Sequence, residues 1–226
     1  MKTLFIEARS DHDIVKAIQK NIKTIQQYSK IGLFTTVQHI GQINDVKKYL
    51  TNNNIEVQLS DSIKTKNCQG PKATYVGQVL GCDATASKKM NVDAFLYIGT
   101  GEFHPIAISL ETDKPVLKIN PFSVKLEVLS EQYKRKWLAR QAARISKIGD
   151  AKKIGILLST KPGQYKPNLA KKIQTIFPDS YLFISDMITA ENMLNFLDID
   201  VWVNTACPRL VEDSWPKTLI NAEELI

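Results

Sequence analysis

Lys30-Ile31-Gly32-Leu33-Phe34-Thr35-Thr36 is a short apolar run that closes on hydroxyl residues, and it returns as Lys153-Ile154-Gly155-Ile156-Leu157-Leu158-Ser159-Thr160. Each copy leads into a Gln-bearing turn and a helical pattern. Further along, Val92-Asp93-Ala94-Phe95-Leu96-Tyr97-Ile98 resembles Ile199-Asp200-Val201-Trp202-Val203-Asn204. Two related pairs in the same order predict two similar α/β domains. Short apolar runs alternate with amphipathic segments throughout, the pattern of strands and crossover helices in a small, mostly parallel sheet flanked by helices. Strands are expected at 3–8, 31–35, 56–59, 94–98, 116–119, 154–158, 181–185 and 201–204. The first domain is placed at 1–121, a bridging basic helix at 122–149, and the second domain at 150–226.

The chain has 226 residues, enough for one large domain or two compact ones. Hydrophobic residues at 43% and charged residues at 23% exclude disordered, collagenous and low-complexity classes. No apolar run approaches the ~18 residues of a membrane helix. The apolar stretch in Met1-Lys2-Thr3-Leu4-Phe5-Ile6-Glu7 is too short for a signal-peptide core, so a cytoplasmic protein without membrane contact is expected. Thirty Lys and Arg against 23 Asp and Glu give +7, a scattered excess. Aromatics interleaved for base stacking are lacking, so direct nucleic-acid binding is not expected. Six cations gather at Lys134, Arg135, Lys136, Arg140, Arg144 and Lys147, and residues 136, 140, 144 and 147 share a helical face opposite Leu138, Ala142 and Ile145. That stripe is either a solvated face or a docking face for an acidic or RNA-bearing partner.

In open parallel sheets, ligands bind at loops beyond the carboxyl ends of strands. Four such loops stand out: Thr35-Thr36-Val37-Gln38-His39, Gly77-Gln78-Val79-Leu80-Gly81-Cys82, Gly99-Thr100-Gly101-Glu102-Phe103-His104-Pro105 and Asn204-Thr205-Ala206-Cys207-Pro208-Arg209. Two of the three cysteines lie in them, and Cys68 lies 14 positions before Cys82 in a polar segment. A single cysteine is commonly a small buried hydrophobe. Thiolates on post-strand turns also suit zinc or an iron-sulfur cluster. Structural zinc favours a closely spaced cysteine pair, which is missing here, so separate loops fit a cluster better. Gly99 and Gly101 allow a ligand to approach backbone amides, or serve a tight turn. Glu102 and His104 are candidates for the same ligand, with His104 alternatively bonding backbone to cap the loop. Arg209 offers a fork for a carboxylate, or an ion pair with Glu212 or Asp213. Gln38 and His39 open a helix, where they cap it or flank an anion.

At these motifs, together with Gly163-Gln164 and Val203-Asn204-Thr205-Ala206-Cys207-Pro208-Arg209-Leu210, the chain resembles the diphthamide synthase family, the 2-(3-amino-3-carboxypropyl)histidine synthases of archaeal type. The resemblance covers nearly the whole chain. It implies three related α/β domains, each giving one cysteine to a single 4Fe-4S cluster with one iron open to S-adenosyl-L-methionine. It implies reductive cleavage of that substrate and addition of its 3-amino-3-carboxypropyl group to a histidine of elongation factor 2, the first step of diphthamide biosynthesis. Further implied partners are an electron donor protein and a second chain, as homodimer or as heterodimer with a related subunit. The motifs correspond to the family's second and third domains. Cys82 and Cys207 carry over as cluster ligands, whereas Cys68 is a substitute third ligand, a neighbour of the cluster or a surface thiol. Gly99, Gly101, Glu102, His104 and Arg209 are the residues assigned to S-adenosylmethionine. The alternatives are a non-catalytic partner subunit, a family member lacking the first ligand domain, and a two-domain nucleotide-binding module with structural thiols.

Overall fold

The structure, a computed structural model, describes residues 4, 6–60 and 73–226. The chain divides into two compact units, the first reaching Lys134 and the second running from Arg135 to Ile226. The first holds β1 (Lys30–Thr35), β2 (Glu56–Leu59), β3 (Ala94–Ile98), β4 (Val116–Ile119) and β5 (Leu126–Val128), in the order β2-β1-β3-β4-β5. All pairs are parallel except β4 with β5. The second holds β6 (Ile154–Ser159), β7 (Tyr181–Ser185), β8 (Val201–Asn204) and β9 (Thr218–Asn221), all parallel, in the order β7-β6-β8-β9. The protein is α/β, as its strand and helix patterns predict.

The central strands read as unbroken apolar runs because both faces are covered. On β3, Ala94, Leu96 and Ile98 join one core cluster and Phe95 and Tyr97 another. The first cluster is closed by α1 (Ile14–Ile25), which buries Ile14, Ala17, Ile18 and Ile25, and by α2 (Ile43–Asn52), which buries Ile43, Val46 and Leu50. Those spacings form one helical stripe. Asp13 starts α1 by accepting from Lys16 N at 3.0 Å. The second cluster takes Ile108 from α3 (Phe103–Leu110). In the second unit α5 (Pro167–Ile176) contributes Ala170 and Ile173 to one face, and Trp202 centres the other.

The repeat holds at the level of atoms. Asp93 Oδ2 accepts from Lys30 N at 2.8 Å while its own N–H donates to Lys30 O at 2.8 Å. Asp200 does the same, accepting from Lys152 N at 2.9 Å and Lys153 N at 3.0 Å and donating to Lys153 O at 2.9 Å. A Cβ at Gly32 would stand 2.6 Å from Phe95 Cδ1, and one at Gly155 would stand 2.5 Å from Trp202 Cε3. Glycine in the recurring Lys-Ile-Gly motif makes room for an aromatic ring of the neighbouring strand.

Three expectations need correction. Residues 4 and 6–8 carry no strand; Leu4 and Ile6 are 83% and 85% exposed, and an apolar run without a neighbouring strand to bond gains nothing from pairing. β5 and β9 were not expected: β5 has three residues and β9 four, β9 following directly on Pro216-Lys217. The basic helix, α4 (Glu131–Ser146), buries no side chain. It ends before Lys147, and Arg144 turns to Glu224, with Nη2 4.0 Å from Oε1, so the stripe is shorter than its spacing suggests.

Gly155→Ala should lower stability by about 1–3 kcal/mol, because the ring of Trp202 and the strand backbone would have to part. Gly149→Ala, whose added Cβ meets nothing closer than Ser146 O at 3.8 Å, should stay near the parent. Denaturant midpoints of the two variants check this, and equal midpoints would remove the packing account.

Candidate functional site

In the first unit, Thr35 ties three of the four loops together at the carboxyl end of the sheet. Its N–H donates to Gly77 O at 2.9 Å, its carbonyl accepts from Val79 N at 2.9 Å, and its Oγ1 donates to Ile98 O at 2.7 Å. Beyond Val79 the chain makes a tight turn closed by Asp83 N donating to Leu80 O at 3.0 Å, and Cys82 stands exposed on its tip. Gly81 has no room for a side chain, since a Cβ there would lie 2.0 Å from Phe103 Cε1. Phe103 therefore packs the Cys82 turn against the loop that carries Glu102 and His104.

Within that loop Gly101 has φ +75° and open space around its Cβ position, so it meets both needs of a ligand-facing turn. The His104 ring stacks on Tyr97, with centroids 5.6 Å apart and planes at 11°. Of the two roles open to His104, a ligand contact or a backbone cap, the cap is not made, because the ring is drawn against the aromatic of β3. Burial pushes the His104 pKa below its ordinary value and the Tyr97 pKa above its own. Lys118 stands between Glu102 and Glu127, 2.9 Å from the latter. Lys125 and Lys118 hold the Glu127 carboxyl down at about 2. These side chains, with Gly99, Gly101 and Asn120, line a polar cavity of about 240 Å³. Sequence reading missed Lys118, although a lysine inside the buried run Val116-Leu117-Lys118-Ile119 is itself a signal.

His39 is 1% exposed and its Nδ1 is buried without a hydrogen-bond partner. It precedes the short 3₁₀ turn Ile40–Gln42 and makes no side-chain capping bond there. The capping expectation fails because the imidazole turns inward, and burial first, with His12 second, lowers its pKa. Gln38 remains exposed.

In the second unit the loop after β8 carries Cys207, half-buried. Thr205 donates through N and Oγ1 to Leu157 O at 3.1 and 2.7 Å, fixing the loop to β6. Asn204 Oδ1 accepts from Ala206 N at 2.9 Å and its Nδ2 donates to Cys207 O at 2.8 Å. Tyr97 Oη reaches Thr100 O at 3.4 Å in the first unit, the same step of three residues. Thr100 thus occupies in one repeat the place Cys207 occupies in the other. Arg209 pairs with Asp213 at 2.7 Å, the ion pair expected as one of its two roles. Gly163 takes φ +81° in a turn where Gln164 N donates to Lys161 O at 3.0 Å. Cys68 lies outside the described residues.

Among the described residues no group of three or more His, Cys, Asp or Glu side chains stands together to hold a metal. Among those residues each unit instead presents one thiol on a post-strand loop fixed by backbone hydrogen bonds. Thiol donors of this kind fit an iron-sulfur cluster, and the second unit alone offers no four-sulfur cage for zinc. No helix among the described residues is long and apolar enough to cross a membrane.

The buried imidazoles set a pH dependence. An unfolded histidine titrates near 6.5, and His39 and His104 titrate lower when folded, so their neutral forms add stability above about pH 6.5 that is lost as pH falls through the folded values. His104→Phe, which keeps the ring on Tyr97, should lose less stability than the parent between pH 7 and pH 5 in denaturant titrations. An identical pH slope would show that His104 is not held neutral.

The family model described as "Putative diphthamide synthesis protein" matches residues 1–225. The 2-(3-amino-3-carboxypropyl)histidine synthase of Pyrococcus horikoshii is 29% identical over 231 residues, spanning 99% of this chain and 64% of that protein. Subunit 1 of the corresponding synthase of Schizosaccharomyces pombe is 28% identical over 232 residues, spanning 98% of this chain and 51% of that one. The crystal structure of Dph2 from Pyrococcus horikoshii with 4Fe-4S cluster superposes with a TM-score of 0.83 at 29% identity, over 96% of this chain and 62% of that one. The chain therefore spans between about half and two thirds of the length of these relatives. With a match over residues 1–225, the chain belongs to the diphthamide synthesis protein family.

Proposed function

We propose that this chain supplies the second and third domains of a 2-(3-amino-3-carboxypropyl)histidine synthase. On this reading it contributes Cys82 and Cys207 to a 4Fe-4S cluster and acts on S-adenosylmethionine and a histidine of elongation factor 2. The observation that carries the reading is the thiol that each unit holds, among its described residues, on a fixed post-strand loop, in a family member 29% identical to a named synthase. The Dph2 crystal structure with its 4Fe-4S cluster supports the same cofactor. When bound, the cluster supplies the electron that cleaves the sulfonium.

The chain's own residues bind and orient. Cys82 projects from its turn, and Gly101 leaves backbone open beside Glu102 for a polar ligand. Lys118 keeps Glu102 in place by charge pairing. His104, neutral by burial, offers a hydrogen-bonding nitrogen without a competing charge. Arg209 is 53% exposed at its side chain and can exchange Asp213 for the substrate carboxylate, because an exposed pair is held only weakly. The third thiol comes from Cys68 or from outside this chain. The second reading, a partner subunit that completes another chain's cluster, is favoured by the subunit naming of the Schizosaccharomyces pombe relative. A cytoplasmic protein that works with an electron donor and a related second chain completes the proposal.

Anaerobic reconstitution with iron and sulfide tests the ligands. The chain alone should load poorly, and adding a related chain that supplies a thiol should bring it to about four irons, with release of methylthioadenosine once S-adenosylmethionine and a one-electron reductant such as dithionite are added. Cys82→Ala and Cys207→Ala should each abolish that gain. Iron content unchanged in both variants would overturn the assignment, and full loading of the chain alone that vanishes in Cys68→Ala would make Cys68 the third ligand.

The exposed part of the basic helix, Lys136 and Arg140, is proposed to steer the acceptor protein. Reversing both charges should slow association with elongation factor 2 at low salt and leave uncoupled methylthioadenosine formation intact. An unchanged association rate would return the stripe to a solvated surface.

A further inference from the structure

Asn204 and Asn221 are register partners at the carboxyl ends of the parallel strands β8 and β9, and both are buried. Two carboxamides buried side by side hold only if their donors and acceptors match. Here Asn204 Nδ2 donates to Asn221 Oδ1 at 2.8 Å as well as to Cys207 O, while Asn221 Nδ2 donates to Pro208 O at 3.2 Å and to Glu224 Oε1 at 3.2 Å. Every link is made once the Asn221 nitrogen faces Pro208 and Glu224. With the amide flipped, its N–H groups would face the Asn204 N–H groups, and its oxygen would face a carbonyl and a carboxylate.

The consequence falls on Cys207. Three peptide units around it, Thr205–Ala206 through Ala206 N, Cys207–Pro208 through Cys207 O and Pro208–Arg209 through Pro208 O, are held by these two side chains. Since peptide units are planar and only the Ala206–Cys207 unit lies between those the two amides hold, the path of the chain through Cys207, and with it the direction in which its Cβ leaves, is narrowly set. Asn221 lies outside the motif at 203–210, and only the pairing of β8 with β9 brings it there.

We infer that Asn221 is a positioning residue for Cys207: its carboxamide locks Asn204 and the Pro208 carbonyl, aiming the thiol, and Glu224 holds Asn221 in the one amide orientation that does both. This deepens the proposed function and rests on it for its purpose, since an aimed thiol matters only to a ligand. The aim itself can be measured on the thiol.

The test uses the full chain with Cys68→Ser and Cys82→Ser, so that iodoacetamide reports on Cys207 alone, over a range of pH. Asn221→Asp is nearly isosteric but turns a carboxylate toward Pro208 O and Glu224. It should raise the alkylation rate about tenfold, the ratio expected for losing one well-made hydrogen bond. Asn221→Asp with Glu224→Gln, where the new amide donates to the aspartate, should return to within about twofold of the parent. A space-filling role would leave Asn221→Asp at the parental rate, and that result overturns the inference, as does a double variant no closer to the parent than the single one. Should Asn221→Asp lose its cooperative melt, Glu224→Ala carries the test: about a threefold rise supports the clamp, and the parental rate overturns it. Iron content is read separately in the chain with its native cysteines, reconstituted together with the related chain. Full iron retention in Cys207→Ala would overturn the ligand assignment and leave the alkylation result standing.

Discussion

In each sheet a strand glycine lies beneath an aromatic ring of the neighbouring strand, and the rest of the unit depends on that approach. Gly32 admits Phe95, and Gly155 admits Trp202. The aspartate two residues before each ring bonds back to the lysine two residues before each glycine, so ring and clamp together fix the pairing. Register in a sheet is all or nothing, because a slip of one residue turns every side chain to the opposite face. Here a slip would drive Phe95 or Trp202 out of its own core. The same register puts Thr35 opposite Ile98 and Leu157 opposite Asn204, and from those pairs the loops bearing Glu102, His104 and Cys207 take their starting points.

The two units carry different chemistry on this shared scaffold. Tyr97 opposite Lys118 and Asn204 opposite Asn221 are the corresponding cross-strand pairs. In the first unit the lysine collects two carboxylates around a polar cavity, and the loop position three residues beyond Tyr97 is Thr100. In the second, two neutral amides replace the ion pairs and the loop position becomes Cys207. An amide pair at the strand ends fixes geometry without placing a charge there, the nearest carboxylate being Glu224 beyond Asn221, whereas a lysine between glutamates fixes charge as well. Cys82 has no counterpart in the repeat. It belongs to the loop between β2 and β3, fastened by Thr35 and packed by Phe103 against Gly81.

What the sequence showed and what it hid divide along a physical line. Strands covered on both faces are legible as apolar runs, and the recurrence of Lys-Ile-Gly shows the two units without any structure. Features that depend on a distant neighbour are not. The run at 3–8 is apolar but has no strand beside it among its described residues. β9 has only four residues after a proline, and its place is set by β8. Arg144 reads as one more solvent-facing cation until Glu224, 80 positions along the chain, pairs with it. His39 reads as a helix cap because of its position, yet the core takes its ring. Asn221 reads locally as no more than the cap before Glu224, since the bonds that reach the Cys207 loop run to residues 204 and 208.

On the proposed reading, the way the thiols are held has a further meaning. Small zinc domains fold only when the metal joins their cysteines, so the metal itself arranges the ligands. Each unit here has its own two-sided core, independent of any thiol. Metal binding therefore has no folding to drive, and a misdirected cysteine would have to be redirected against a finished structure. Under that constraint the protein must set the ligand's direction in advance, with bonds that do not involve sulfur. The backbone knot at Thr35 serves that purpose for Cys82, and the paired amides of Asn204 and Asn221 serve it for Cys207. Preorganised donors of this kind lose little freedom when the cluster arrives, which favours binding by a chain that contributes only some of the ligands.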